Sequence, residues 1–186
     1  MRVNGFLLLL LLPVSVLAQE PVRWRMSRSL ITFASEAPLE RITATNSKAA
    51  GVVEIATRSF AVQVPVVEFQ GFNAPLQREH FNENYMVSTT WPNITFAGRI
   101  IESIDLSVPG RYSARAKGDL VVHGVTKERI VPCEVVVTSD GIRVTSNFDV
   151  ALDEHGIRIP RVVQQKVAPV VAVKVDVLFR SPTAAR

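Results

Sequence analysis

Residues 76–86, LQREHFNENYM, gather Arg78, Glu79, His80, Asn82, Glu83, Asn84 and Tyr85 into one short stretch. Such a group could move protons, hold a metal, or form the solvated face of a short helix. Two other stretches invite the same question, HGVTK at 123–127 and DEH at 153–155, together with the single Cys133. Nucleophilic catalysis finds little support. His80, His123 and His155 are spread along the chain, and no G-x-S-x-G is present. Alternation places Cys133 with Val131, Val135 and Val137 on an apolar face, where a thiol is an inert core group. A metal site finds no more. REH (78–80) and DEH both pair an acid with a histidine, but neither is H-E-x-x-H, and sequence neighbours point apart on a helix or strand. Glu79 and Glu83, at i and i+4, read as a solvated face. HGVTK lies between two strands, so it reads as a hairpin connection in which Gly124 takes positive φ and the histidine bonds backbone. Asn93-Ile94-Thr95 is a formal glycosylation sequon. The expectation is therefore no catalytic residue, no metal and no cofactor.

The elements that must position these groups are strands. From Tyr112 to Val122, one parity holds Tyr112, Ala114, Ala116, Gly118, Leu120 and Val122, and the other holds Arg115, Lys117 and Asp119. That is a half-buried strand with its charges in water. The pattern recurs at 141–152, with Ile142, Val144, Phe148, Val150 and Leu152 on one face. It recurs again at 170–180, with Val171, Val173, Val175, Val177 and Phe179. Further strands are expected near 22–27, 29–35, 39–46, 50–56, 59–68 and 94–103, parted by turn signals such as Pro109-Gly110 and Ser139-Asp140-Gly141. Many long alternating strands without covering helices need their edges paired, which favours a closed antiparallel barrel of about eight strands over a sandwich. One helix is expected, capped by Asn73 and opened by Ala74-Pro75, with Leu76, His80, Phe81 and Tyr85 on its apolar side. A helical turn is expected at 161–166.

The chain opens with Arg2, an apolar run from Phe6 to Leu12, Pro13, and small residues ending at Ala18. This reads as a cleavable secretory signal peptide over 1–18, with too short an apolar run for a spanning helix and no cysteine for a lipid anchor. Residues 19–186 then form a single domain of 168 residues, long enough to bury a core. A single cysteine cannot form an internal disulfide, so packing alone must hold the fold. Removing Arg2 with the leader leaves 20 basic residues against 17 acidic, a net of +3. These are scattered, which argues against nucleic-acid binding.

If the apolar parities face inward, the interior is aliphatic and aromatic, with Ala114, Ala116 and Gly118 leaving room. A long hydrocarbon chain suits it, since each buried methylene is worth about 0.8 kcal/mol. The expected ligand contacts are Val62, Val64, Phe96, Tyr112, Ala114, Leu120, Val135, Phe148, Val150, Val173 and Val175, with Leu76, His80, Phe81 and Tyr85 from the lid.

Three segments together carry a resemblance: LQREHFNENYMVSTTWPNITFAG (76–98), GDLVVHGVTKERIVP (118–132) and FDVALDEHGIRIPRVV (148–163). They resemble the bacterial YceI-like family of periplasmic, lipocalin-like, polyisoprenoid-binding proteins. That family shows a short helix ending in His-Phe or His-Leu, an aromatic-Pro-x-I-T-F strand, a G-D-L-x-x-H-G-V-T-K hairpin and a valine-rich last strand. The likeness runs over about 22–180, and NENYM and IRIPRVV resemble a branch common in Bacteroidetes. It implies a lipocalin-like barrel with a helix over one end, around an elongated apolar tunnel that in relatives holds a quinone-precursor type of isoprenoid. Two features depart from the pattern: Arg78-Glu79 stands where an arginine-aspartate pair is usual, and 39–56 lacks a histidine common there.

The leading expectation is a non-enzymatic secreted or periplasmic carrier or sequestering protein for an isoprenoid or other long-chain lipid, with a homodimer open. The competing readings are an outer-membrane barrel, an enzyme acting on a lipid through His80 or His123, and a packed interaction module without a ligand. The long alternating strands suit a membrane barrel too, but its apolar outside and aromatic girdles fit poorly with 7% aromatic residues.

Overall fold

The computed structural model describes residues 22–181; the expected leader, 1–18, lies outside them. Nine strands make one antiparallel sheet: β1 (Arg23–Glu36), β2 (Arg41–Asn46), β3 (Ala50–Glu54), β4 (Ser59–Pro65), β5 (Asn93–Ile100), β6 (Gly110–Val122), β7 (Val125–Thr138), β8 (Gly141–Ala151) and β9 (Val170–Arg180). The sheet closes because β1 also pairs with β9, from Arg25↔Arg180 to Ala34↔Ala172. β2 pairs with the second half of β1 and β3 with its first residues, so the two lie along β1 as one interrupted strand. Nine strands thus fill eight positions, as a closed barrel of this width requires.

The two strands expected at 22–27 and 29–35 are one strand with a bulge. The register against β9 slips between Met26 and Arg28. Before the bulge Trp24 and Met26 pack inward; after it Ser29, Ile31, Phe33 and Ser35 do. One extra residue reverses the parity, which made a single strand read as two. The strand expected at 59–68 stops at Pro65, and Val66–Glu68 form a 3₁₀ turn.

The barrel ends differ. At one, the 101–109 loop folds in as a plug. Leu106 is fully buried against Val53, Ile100, Ala114, Val135, Val137, Ile142, Val177 and Phe179. Asp105 Oδ1 accepts hydrogen bonds from the Ser107 N–H (2.9 Å) and hydroxyl (2.6 Å), and the Tyr112 hydroxyl donates to the Val108 carbonyl (3.0 Å), so the loop is tied at both sides. At the other end lie the helix α1 (Pro75–His80), a π-helical turn (Phe81–Tyr85) and the 152–169 segment. The β6–β7 connection there is His123-Gly124, both at positive φ (50° and 73°), the conformation of a tight hairpin turn. A Cβ at Gly124 would collide with the Trp91 indole, so the position needs glycine twice over.

The outer face carries the cross-strand ion pairs Arg143–Asp176 (2.6 Å), Arg111–Glu134 (2.6 Å) and Lys117–Glu128 (3.2 Å), and Arg115 on β6 pairs with Glu102 of the plug loop (2.7 Å). Arg143 beside Asp176 holds that carboxyl below its ordinary range, and Arg115 does the same for Glu102. No helix among the described residues is long and apolar enough to cross a membrane.

Candidate functional site

Above the plug the barrel is hollow. Its cavity has a volume of about 570 Å³, within the range of small-molecule sites. Each strand sends alternate side chains into it, so period-two sequence becomes an apolar wall. β9 supplies Val171, Val173, Val175 and Val177, β8 supplies Val144, Phe148 and Val150, and β4 supplies Phe60, Val62 and Val64. The few polar groups in the wall are mostly engaged locally. The Ser146 hydroxyl donates to the Pro132 carbonyl (2.6 Å). Burial pushes the Cys133 thiol up to about 11, and Glu102 adds to this, so the group stays a neutral thiol.

The mouth is different. Ser35, Glu40, Gln77, His80 and Lys166 line it. Gln77 ties the lid to the barrel: its side chain donates to Glu40 Oε1 (2.5 Å) and accepts from the Asn73 N–H (3.1 Å). The 161–168 stretch is tied by the Ala168 N–H donating to Ser35 Oγ (2.8 Å) and the Leu39 N–H donating to the Gln165 carbonyl (2.9 Å). Beneath the lid, Phe81 meets Phe33, Phe69 and Phe72 with ring centroids 5.4, 5.7 and 5.1 Å apart. Burial raises the Tyr85 hydroxyl above its ordinary range, and it makes no hydrogen bond among the described residues.

Of the fifteen expected contacts, Val62, Val64, His80, Phe81, Tyr85, Phe96, Leu120, Phe148, Val150, Val173 and Val175 line this cavity. Four do not. Ala114 and Val135 have the inward parity but sit in the packed plug end, and Tyr112 packs beside them. Leu76 is 56% exposed and faces away from the cavity wall. The helix geometry explains Leu76. α1 spans only Pro75–His80, and the next turn is π-helical, closed by the Met86 N–H to the Phe81 carbonyl (2.9 Å). Gln77, Phe81 and Tyr85, spaced by four, share the side that faces the cavity, and at about 100° per residue Leu76 stands roughly 140° from Phe81. Asn73 does not cap the helix: Ala74 holds that position without a side-chain bond, and the Asn73 amide donates to the Arg41 carbonyl (2.9 Å). Glu40, Gln77, Lys166 and the aromatics Phe33, Phe69 and Phe72 escaped sequence reasoning. The paired Phe69 and Phe72 just ahead of the helix were the available signal.

The histidines do not converge. His80 is at the mouth, whereas His123 and His155 pack beside the β6–β7 turn. His123 Nδ1 bonds the His155 carbonyl (3.1 Å), His155 Nδ1 bonds the Val125 carbonyl (3.1 Å), and the His123 ring stacks edge-on to Trp91. Each therefore has a structural partner. No group of three or more metal-ligating side chains occurs among the described residues.

The fold recurs in solved structures. A polyisoprenoid binding domain from Saccharophagus degradans implicated in plant cell wall breakdown superposes with a TM-score of 0.73 at 12% identity, covering 88% of this chain and all of that one. BcnA of Burkholderia cenocepacia gives 0.66 at 14% identity, covering 81% and 95%. The YCEI protein of Campylobacter jejuni gives 0.56 at 10%, covering 91% of each. At such identities the likeness speaks for the fold. No curated protein matches the chain in sequence. The family model of the YceI-like domain matches residues 24–179, from the start of β1 to the end of β9, so barrel, plug and lid all fall within it: the chain belongs to the YceI-like domain family.

Proposed function

We propose that this protein is a secreted or periplasmic carrier or sequestering protein that holds an isoprenoid or other long-chain amphiphile in its barrel. The observation that carries this is the apolar cavity of about 570 Å³ between a packed plug and a polar mouth. An apolar void of that size binds a hydrocarbon by burying it, without a polar code in the wall. The polar part of the ligand belongs at the mouth, where His80, Lys166 and the unpartnered Tyr85 hydroxyl stand. The S. degradans domain is described as binding polyisoprenoid, which accords with this reading. Carriage rather than catalysis suits His123 and His155, each of which spends its Nδ1 on a backbone carbonyl. The outer-membrane alternative would place the Arg143–Asp176 and Arg111–Glu134 pairs in hydrocarbon, at high cost.

The test is native mass spectrometry of protein taken from its own host, followed by organic extraction. A stoichiometric adduct whose fragments step by isoprene units is expected. A clean unliganded mass from gently handled protein rejects the carrier reading in favour of an interaction module.

A further inference from the structure

A cavity that opens at one end must exchange its cargo there, and that rim has an unusual surface. Val162 is 89% exposed and Leu39 67% exposed. Leu39 lies against the segment that carries Val162, because its N–H donates to the Gln165 carbonyl (2.9 Å). The 156–166 segment beside them, GIRIPRVVQQK, holds Arg158, Arg161 and Lys166 and no acid. Among the described residues none of these three makes an ion pair. The nearby acids are partly engaged: Glu36 pairs with Arg41 (3.2 Å), Glu40 accepts from Gln77, and Glu154 pairs with Arg129 (3.1 Å). Glu79 lies on α1 and Glu83 on the π-helical turn after it, so the positive side of the rim is the 156–166 segment.

Protruding aliphatic side chains flanked by free cations are what an anionic bilayer surface takes up. The aliphatics enter the interfacial layer and the cations meet phosphates. We propose that this rim, Leu39 and Val162 with Arg158, Arg161 and Lys166, docks the protein on an anionic lipid membrane with the cavity mouth facing the bilayer. The proposal rests on the carrier reading for its purpose, but its surface chemistry stands apart from it.

The experiment is co-sedimentation of the purified protein with phosphatidylcholine vesicles, with and without phosphatidylglycerol. Binding is expected only with phosphatidylglycerol, and it weakens as salt is added. Replacing Arg158→Ala and Arg161→Ala lowers vesicle affinity by about fivefold each. Leu39→Ser with Val162→Ser lowers it further, while bound-lipid mass and thermal stability stay as in the parent, since neither residue lines the cavity. A protein left in the supernatant with both vesicle types overturns the proposal and leaves the patch to a protein partner or a second copy. So does vesicle binding indifferent to all four substitutions. Docking without any bound lipid fails the carrier reading alone, and bound lipid without docking fails this proposal alone.

Discussion

His155 has no exposed surface, and its Nε2 is buried without a partner. Burial holds its pKa below the ordinary 6.5, outweighing the Val125 carbonyl that works the other way. The unfolded chain therefore binds the proton more readily than the folded one, and stability rises with pH in that range. Stability should be complete above about 6.5 and fall as the pH drops below it, until the folded imidazole itself titrates. His155→Gln should remove this slope in urea melts run from neutral to mildly acidic pH; an unchanged slope would mean another group drives it. Asp176 works in a separate window: its depressed carboxyl stabilises above its ordinary 3.8 and is lost below. A second residue-scale constraint is the Gly98↔Gly118 pair of β5 and β6, where a Cβ on either glycine would run into the backbone opposite. Gly98→Val should cost about 3 kcal/mol in chemical denaturation; tolerance of it would show that the strands can separate there. Most of the cavity wall was legible at this scale, because parity assigns a face. Parity does not assign height along the barrel. Ala114 and Val135 face inward as correctly as Leu120, yet lie below the cavity, and only the plug loop, with its buried Leu106, decides where the hollow begins.

The elements show the same limit in another form. β1 runs through what reads as two strands, because the extra residue at its bulge reverses the alternation that defines a strand in sequence. Deleting Ser27, the one residue between the shifted pairs Met26↔Phe179 and Arg28↔Leu178, should remove the bulge. Alternation would then run unbroken, with Trp24, Met26, Ser29 and Ile31 all kept on the inner face, so the deletion should leave stability within about 1 kcal/mol of the parent. A strongly destabilised deletion would mean that β1 needs the extra twist of the bulge to close against β9. The lid misled for a related reason. The expected apolar side runs through Leu76, His80, Phe81 and Tyr85, yet at about 100° per residue Leu76 stands roughly 140° from Phe81, and the cavity side runs through Gln77, Phe81 and Tyr85. Nothing in local propensity announces the π-helical turn that follows, which starts at Phe81, seated among Phe33, Phe69 and Phe72. Phe81→Ala should cost about 2 kcal/mol, less than a fully buried Phe because it is only half-buried, and loosen the mouth. Faster release of a fluorescent fatty acid from the variant, read by stopped flow, is the check; an unchanged rate would show that the 152–169 segment alone gates exit.

At the scale of the whole molecule, a hollow barrel and a packed one answer the same substitution oppositely. Protein interiors are close-packed, and added bulk in a filled core costs about 1–3 kcal/mol. In an open apolar cavity, added bulk replaces missing contacts and gains about 1 kcal/mol. Ala116 lies in the cavity wall, beside Ile100 and Val131 on the neighbouring strands. Ala116→Phe should therefore raise the thermal midpoint of delipidated protein while abolishing the lipid adduct in native mass spectrometry. The lipid-loaded parent should melt above its own delipidated form, since a ligand at a hundred times its Kd adds about 2.7 kcal/mol. The variant should show no such gap. A destabilised Ala116→Phe protein would mean that the interior relaxes to fill itself, and the interaction module would then be the better reading of the same fold. The two measurements separate shape from occupancy: the midpoint reports whether the barrel is hollow, and the adduct reports whether the hollow is used.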